Sequence, residues 1–126
     1  MLLLRVRIFK NKWFHRFANK EGISDSELKE VAKHLESGQY YADLGGSVYK
    51  MQLARPNEGK SGGFRVLVFC KIEERILFHY GFPKSVMDNI NRKELKIMKR
   101  QAKAFFILSN EQIDGQIANA DLFEII

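Results

Sequence analysis

The most restrictive feature of this 126-residue chain is a pair of apolar runs near its centre. Residues 64–71 read FRVLVFCK and residues 75–82 read RILFHYGF, with the charged Glu73-Glu74 between them. Runs of this length, rich in β-branched and aromatic residues and separated by a short polar turn, predict a β-hairpin. A hairpin this apolar must be covered, so we expect helices packed against the sheet that contains it.

Shorter signals predict the elements that begin the chain. Alternating apolar and basic residues predict a first strand over Leu2–Phe9. Helically spaced aromatic residues predict a helix over 11–20, and Gly22 ends it. Ser24 followed three residues later by Glu27 forms a capping-box sequence, which marks the start of a second helix.

The remaining elements follow from turn and capping residues. The segments Tyr40–Leu44 and Val48–Leu53 flank Gly45-Gly46, which predicts another hairpin. Asn91 and Ser109, each followed three residues later by Glu or Gln, predict the starts of two further helices.

The order of these elements predicts an α+β fold. We expect a mostly antiparallel sheet of four to five strands, with the N-terminal helices packed on one face and further helices at the C-terminus. Residues 1–126 are expected to form a single domain, in which 105–126 are a C-terminal helical extension. The tail after Ala104 has no Lys or Arg, and its Ile113 and Ile117 are expected to cover an apolar surface of the body.

Composition narrows the class of partner and the compartment. Lys and Arg outnumber Asp and Glu by 21 to 15, and a net charge of +6 on a small domain favours a polyanionic partner such as nucleic acid. Cys70 is the single cysteine, which suits a reducing, cytoplasmic environment. No apolar run is long enough to span a membrane, and no metal-ligand or cofactor motif occurs, so neither a membrane partner nor a cofactor is expected.

The loop ARPNEGKSGGFRV, residues 54–66, contains Gly-Lys-Ser and so invites comparison with a nucleotide-binding loop. A Walker A loop requires a glycine where Ala54 stands, and it leads into a helix, whereas this loop leads into a strand. The loop is therefore not a nucleotide-binding loop. Its glycines alone would suit a simple hairpin connection with a solvated lysine.

Neighbouring cations favour a phosphate-binding surface instead. If Tyr49, Met51 and Leu53 face the helices, alternation places Lys50 on the opposite face of its strand, and the same rule places Arg65 beside it. Lys84 follows the last strand at the same end, and Arg55 and Lys60 lie in the loop. Such a cluster suits the backbone of RNA or DNA.

Residues 43–96 resemble the RelE/HigB-type toxins of bacterial type II toxin–antitoxin modules. The matching blocks are a Leu-Gly-Gly hairpin, the run Ala-Arg-Pro…Gly-Lys-Ser-Gly-Gly-Phe-Arg, and Tyr-Gly-Phe-Pro-Lys-Ser before Asp-Asn-Ile…Glu-Leu. The resemblance implies a microbial RNase-type fold. It also implies metal-independent cleavage of mRNA on the ribosome, which inhibits translation, and control by a cognate antitoxin, often of the helix-turn-helix type.

The resemblance also implies roles for particular residues. Arg65 matches the family arginine that contacts the scissile phosphate, Lys50 matches a basic position that is a candidate base, and Lys84 matches a candidate acid or phosphate ligand. Arg55 and Lys60 would hold neighbouring phosphates or ribosomal RNA. Some relatives stack the substrate base on a tyrosine near the last helix. This chain has Asp88-Asn89-Ile90 there, which leaves Tyr80 or Phe82 as a substitute.

Several other residues have competing interpretations. His79 is a possible acid, but a satisfied strand histidine is the favoured interpretation. Trp13 is expected in the core rather than in a base-stacking surface, and Cys70 is expected to be a small buried hydrophobe. The basic run from Arg92 to Lys103 suits either a solvated helix face or contact with ribosomal RNA.

Two other functions remain open at this point. The same superfamily includes ParE-like toxins that inhibit DNA gyrase and need no RNA-cleaving residues. A degenerate member would only bind RNA or its antitoxin. The cluster of Lys50, Arg65 and Lys84 favours the endoribonuclease, an mRNA interferase, over the gyrase inhibitor, and the degenerate member stays open.

Overall fold

The computed structural model describes residues 6–54, 63–85 and 90–126. In chain order its elements are β1 (Arg7–Asn11), α1 (Lys12–Glu21), α2 (Asp25–Glu36), β2 (Ala42–Asp43), β3 (Val48–Leu53), β4 (Phe64–Lys71), β5 (Arg75–Pro83), α3 (Arg92–Phe106), α4 (Asn110–Ala118) and β6 (Leu122–Ile125).

Within the described residues, the strands form one six-stranded sheet in the order β2-β3-β4-β5-β1-β6. The central β4–β5 hairpin is confirmed, with Lys71 opposite Arg75 at its turn. β1 is parallel to β5, and β6 is antiparallel to β1. The α+β class is therefore confirmed, but the sheet has six strands rather than four to five. The additional strand is β6, whose four residues are too few to show a period in the sequence.

Helices α1 and α2 cover one face of the sheet, as expected. Both predicted boundaries are confirmed: Gly22 has a left-handed φ of 71°, and the Ser24 hydroxyl accepts a hydrogen bond from the Glu27 amide. The buried residues of this first core include Phe14, Ala18, Leu28, Val31, Ala32 and Leu35 from the helices, and Met51, Leu53, Phe64, Val66, Val68, Cys70, Ile76 and Phe78 from the strands.

The opposite face carries a second core, formed with α3 and α4. Phe105 and Ile113 from these helices join Val48, Phe69 and Leu77 of the sheet. The N-terminal helices therefore pack on one face, as expected, and the C-terminal helices cover the other. Apolar residues alternate onto both faces near the β2–β3 and β4–β5 turns, and burying both sets requires a helical layer on each side.

The C-terminal segment is fastened to the sheet by polar contacts as well as apolar ones. Arg7 Nε and Nη2 donate to the two carboxylate oxygens of Glu124, each at 2.9 Å, and Nη2 also donates to Asp114 at 3.1 Å. Ile113 and Leu122 are buried in the second core. The expectation that the tail covers an apolar surface is confirmed.

Candidate functional site

Lys50 and Arg65 lie on the same face of the sheet, on two strands that pair antiparallel. Lys50 of β3 is opposite Leu67 of β4, and Gln52 is opposite Arg65, so the two cations occupy adjacent cross-strand rows. Their neighbours in sequence point to the first core, which confirms the predicted alternation. Lys50 is only 8% exposed and Arg65 only 4%, so both side chains are largely covered, and we call the part of the sheet around them the recess.

The aromatic ring of Tyr41 contacts both cations. The Arg65 guanidinium carbon lies 4.1 Å from the ring centroid, and Lys50 Nζ lies 5.8 Å from it. The Tyr41 amide donates to the Lys50 carbonyl at 3.0 Å, which holds the ring beside β3. Both contacts have the geometry of cation–π interactions.

Tyr41 was not identified from the sequence. It lies just before β2, which is only two residues long, rather than within the predicted strand Tyr40–Leu44. Pairing at equal distances from the Gly-Gly turn puts Asp43 opposite Tyr49 and Ala42 opposite Lys50, so this register is the one sequence signal that would have placed Tyr41 next to the partner of Lys50.

A depression of about 310 Å³ lies beside this cluster. Its lining combines ring, amide and thioether side chains from α2, from the segment before β2 and from β3: His34, Gln39, Tyr40, Tyr41, Met51 and Gln52. The volume is at the lower end of the range for ligand clefts, about 300–1,000 Å³. A small planar group next to Tyr41 would therefore find both an aromatic face and hydrogen-bonding partners.

A β-bulge changes the face on which the end of β5 presents its side chains. Val68 lies opposite Phe78, whereas the preceding Leu67 lies opposite Tyr80, so β5 contains one additional residue. Each additional residue reverses the alternation beyond it. Tyr80 therefore shares the face of Leu67 and Arg65 instead of entering the first core.

Tyr80 belongs to an exposed aromatic surface next to the recess. Its ring stacks on Trp13 with centroids 4.2 Å apart, and the Phe82 ring lies 6.3 Å away. Phe82 is directly opposite Arg65 in the β4–β5 ladder. Trp13 and Tyr80 are each 42% exposed. The expectation that Trp13 lies in the core is therefore wrong: β1 ends at Asn11, and the ring covers the part of β5 that β1 leaves unpaired.

The described residues include only one of the other predicted cations, Lys84. The Lys84 amide donates to the Gly63 carbonyl at 2.9 Å, so the backbone of the exposed Lys84 lies at the same end of the sheet as Arg65. Arg55 and Lys60 lie outside the described residues. The described structure therefore brings together Lys50 and Arg65, and it places the backbone of Lys84 close to their end of β4.

His79 is a structural residue. Its ring stacks on Phe69 with centroids 4.5 Å apart, and Asn11 Nδ2 lies 3.1 Å from His79 Nδ1. Burial lowers the pKa of His79 to about 4, so its ring is neutral at physiological pH. The favoured interpretation, a satisfied strand histidine, is confirmed.

Cys70 is also part of the fold rather than of a reactive site. It is buried in the first core, and burial raises the pKa of its thiol to about 11. Among the described residues, no group of three or more His, Cys, Asp and Glu side chains is arranged to hold a metal ion.

Comparison with known proteins bears on this arrangement. Residues 6–125 match the family model of the RelE toxin of the RelE/RelB toxin–antitoxin system. None of the curated proteins compared with the chain matches it significantly. In the part of the chain that the structure describes, every helix is too short or too polar to cross a lipid bilayer.

The family match includes every strand and helix of the fold, together with Lys50, Arg65 and the aromatic residues around them. A toxin of this family has a cognate antitoxin as its partner. The chain belongs to the RelE family of toxins of toxin–antitoxin systems.

Proposed function

We propose that this toxin is a metal-independent, ribosome-dependent mRNA endoribonuclease of the cytoplasm that inhibits translation. The observation that carries the proposal is the pair of recessed cations, Lys50 and Arg65, held against the ring of Tyr41 on one face of the sheet. Family membership and the exposed aromatic surface beside this pair support it.

The proposed reaction begins with attack of a ribose 2′-oxygen on the adjacent phosphorus. The P–O bond to the 5′-oxygen breaks, a proton leaves the 2′-hydroxyl, and another reaches the departing 5′-oxygen. The products are a 2′,3′-cyclic phosphate and a 5′-hydroxyl end. Negative charge accumulates on the non-bridging phosphate oxygens, so fixed cations directed at them lower the barrier.

Arg65 is the candidate for stabilising that charge. Its planar guanidinium presents several donors in a rigid arrangement that matches a phosphate. Its low exposure matters because an ionic contact is stronger where water is excluded. Lys50 is the candidate base, a role in which its amine is uncharged when it takes the proton of the 2′-hydroxyl, and Lys84, beside Gly63, is the candidate for protonating the leaving oxygen or holding a phosphate.

The aromatic residues on either side of the recess would hold the bases that flank the cleaved bond. Tyr41 lies towards β2, and Tyr80 lies towards α1, where it stacks on Trp13. Stacking of a base on an aromatic side chain contributes about 1–3 kcal/mol per base and tolerates different sequences. Arg55 and Lys60 are proposed to bind neighbouring phosphates, and Tyr80 is proposed as a base-stacking residue.

Cleavage of mRNA in a translation extract tests the proposal. We expect the toxin to cut ribosome-bound mRNA, and we expect Arg65→Ala to reduce the rate by about 100-fold or more. Arg65→Lys should restore only part of the activity, because an ammonium cannot make the paired contact. Arg16→Ala, at an exposed arginine of α1, is the matched control.

Each alternative function predicts a different outcome of this experiment. Double-strand breaks in DNA with intact mRNA would indicate inhibition of gyrase instead. If neither nucleic acid is cut by a toxin whose circular dichroism shows it folded, the nuclease proposal is wrong. Equal activity of wild type and Arg65→Ala would show that the Lys50–Arg65 recess is not the catalytic site.

A further inference from the structure

A second cationic surface lies at the opposite end of β4 from Arg65. It is a groove of about 540 Å³ between α3, the β2–β3 turn and the end of β4. Five cations line this α3 groove: Lys71, Lys96, Lys99, Arg100 and Lys103. Because Lys71 and Arg65 are six residues apart on one strand, the groove is about 20 Å from the proposed catalytic recess.

The cations of α3 are placed unfavourably for an isolated helix. Lys96, Lys99, Arg100 and Lys103 are three or four residues apart, so they are neighbours on adjoining turns. Like charges at these spacings destabilise a helix. Among the described residues, none of the four has a carboxylate within ion-pair distance, whereas Lys71 pairs with Glu74 at 3.1 Å. An anionic ligand in the groove would relieve this repulsion.

The shape of the groove is built into the fold. Gly45 and Gly46 both have a positive φ, of 83° and 60°. The Lys99 side chain lies on this bare backbone, where a Cβ on Gly46 would be 2.6 Å from Lys99 Cγ. The aliphatic stem of Lys99 is therefore held against the turn, with its ammonium beside the groove.

The groove also offers apolar surface, which indicates the class of ligand. Phe106 and Ile107 line it with the cations, and Ile107 is 77% exposed. The phosphates of a nucleic-acid backbone would pair with the cations, but they would leave the exposed aliphatic side chain of Ile107 without a partner. An amphipathic peptide with acidic and apolar residues would use both.

We propose that the α3 groove is a docking site for an acidic amphipathic segment of a partner protein. Its carboxylates pair with Lys96, Arg100 and Lys103, and its apolar side chains cover Ile107 and Phe106. This function is separate from RNA cleavage and does not depend on it, because the groove and the recess share no residues.

Direct titration of the full toxin with three fluorescent probes tests the proposal. The probes are a short helical peptide with alternating Glu and Leu positions on one face, a polyglutamate of equal charge, and a single-stranded RNA of similar length. We expect the amphipathic peptide to bind at least about tenfold more tightly than polyglutamate and more tightly than the RNA. Lys96→Glu with Arg100→Glu should weaken it by about tenfold or more, and Ile107→Ser should weaken it severalfold.

Matched variants separate this result from the nuclease proposal. Lys20→Glu with Lys33→Glu makes the same charge change on α1 and α2, and it should leave peptide binding unchanged. Arg65→Ala should reduce RNA cleavage by about 100-fold or more without changing the affinity for the peptide. Equal binding of the amphipathic peptide and polyglutamate, or unchanged binding after the α3 substitutions, would overturn the docking site. Tighter binding of the RNA, lost with the same substitutions, would assign the groove to nucleic acid instead.

Discussion

At the scale of single residues, one additional residue in a strand decides which aromatic ring shares the face of the Arg65 guanidinium. The bulge in β5 moves Tyr80 to the face of Arg65, and the same strand leaves no room for a side chain at Gly81, where a Cβ would lie 2.6 Å from the Phe17 ring. Small local changes therefore decide which side chains reach the substrate and which remain structural.

The contact between Tyr41 and Arg65 predicts a selective mutational effect. Tyr41→Ala should lower the rate of mRNA cleavage by about tenfold, because the guanidinium loses the ring that orients it, an interaction of about 0.5–2 kcal/mol. Tyr41→Phe keeps the ring and should remain within about twofold of wild type. Cleavage rates with thermal melting as a folding control provide the measurement. Equal loss in both variants would instead assign the role to the hydroxyl.

His79 predicts a pH dependence of stability. Its pKa is lowered from 6.5 to about 4 in the folded chain, so between these values the unfolded chain binds a proton that the folded chain does not. The free energy of unfolding should therefore fall as the pH decreases through this window, by roughly 2–3 kcal/mol.

Chemical denaturation of wild type and His79→Gln across this pH range isolates that effect. The glutamine carbonyl can still accept a hydrogen bond from Asn11 but does not titrate, so the variant should lose stability less steeply on acidification. Parallel pH profiles for the two proteins would show that His79 is not the source of the dependence.

At the scale of elements, polar contacts fix how the helices meet the strands. Lys10 of β1 is almost completely buried, and its Nζ lies 2.8 Å from Asp25 Oδ1 at the first turn of α2. Arg7, on the same strand, fastens β6 through Glu124. One short strand thus holds an N-terminal helix on one side and the C-terminal strand on the other.

Removing Asp25 should destabilise the whole fold. Asp25→Ala leaves the ammonium of Lys10 buried without its carboxylate, and we expect the free energy of unfolding to fall by about 1–3 kcal/mol, less than for a fully buried pair because Asp25 is half exposed. The double variant Lys10→Met/Asp25→Ala should recover part of the loss. If the double variant is less stable than Asp25→Ala alone, the Lys10–Asp25 pair contributes more to the free energy of unfolding than the desolvation of Lys10 costs.

At the scale of the whole molecule, the sheet separates two cores. The first lies under α1 and α2, and the second lies under α3 and α4. The strands β4 and β5 contribute buried residues to both, so unfolding of one core exposes the strands that form the other. We expect a domain of this size and connectivity to unfold in one cooperative transition.

Ile113→Ala tests this cooperativity. Ile113 is fully buried in the second core, and its truncation should lower stability by about 2–4 kcal/mol. Trp13, the single tryptophan, lies on α1 beside the first core and reports the opposite side of the sheet. Trp13 fluorescence and far-ultraviolet circular dichroism should shift to the same lower denaturant midpoint. A shift in circular dichroism alone would mean that the two cores unfold independently.

Much of the fold and part of the site follow from local rules. The period of two along residues 48–53 and 64–71 put Lys50 and Arg65 on one face, away from the first core. Ser24 and Ser109 predicted helix starts, and both side chains accept the expected amide hydrogen bonds. These features are predictable because alternation and capping depend on a few neighbouring residues and on backbone geometry.

The family resemblance, drawn from the middle of the chain, also holds for nearly its whole length. What the sequence alone could not determine depends on contacts between distant segments. The pairing of β6 with β1, the bulge that moves Tyr80, and the second helical layer were settled only by the tertiary structure.

The sequence by itself therefore determined most of the strands and helices and the face of the sheet that Lys50 and Arg65 share. The tertiary structure decided that Tyr41 lies against Lys50 and Arg65 and that these cations are recessed rather than open. The physical reason is that alternation follows from the geometry of one strand, whereas burial depends on which remote segments compete to cover it.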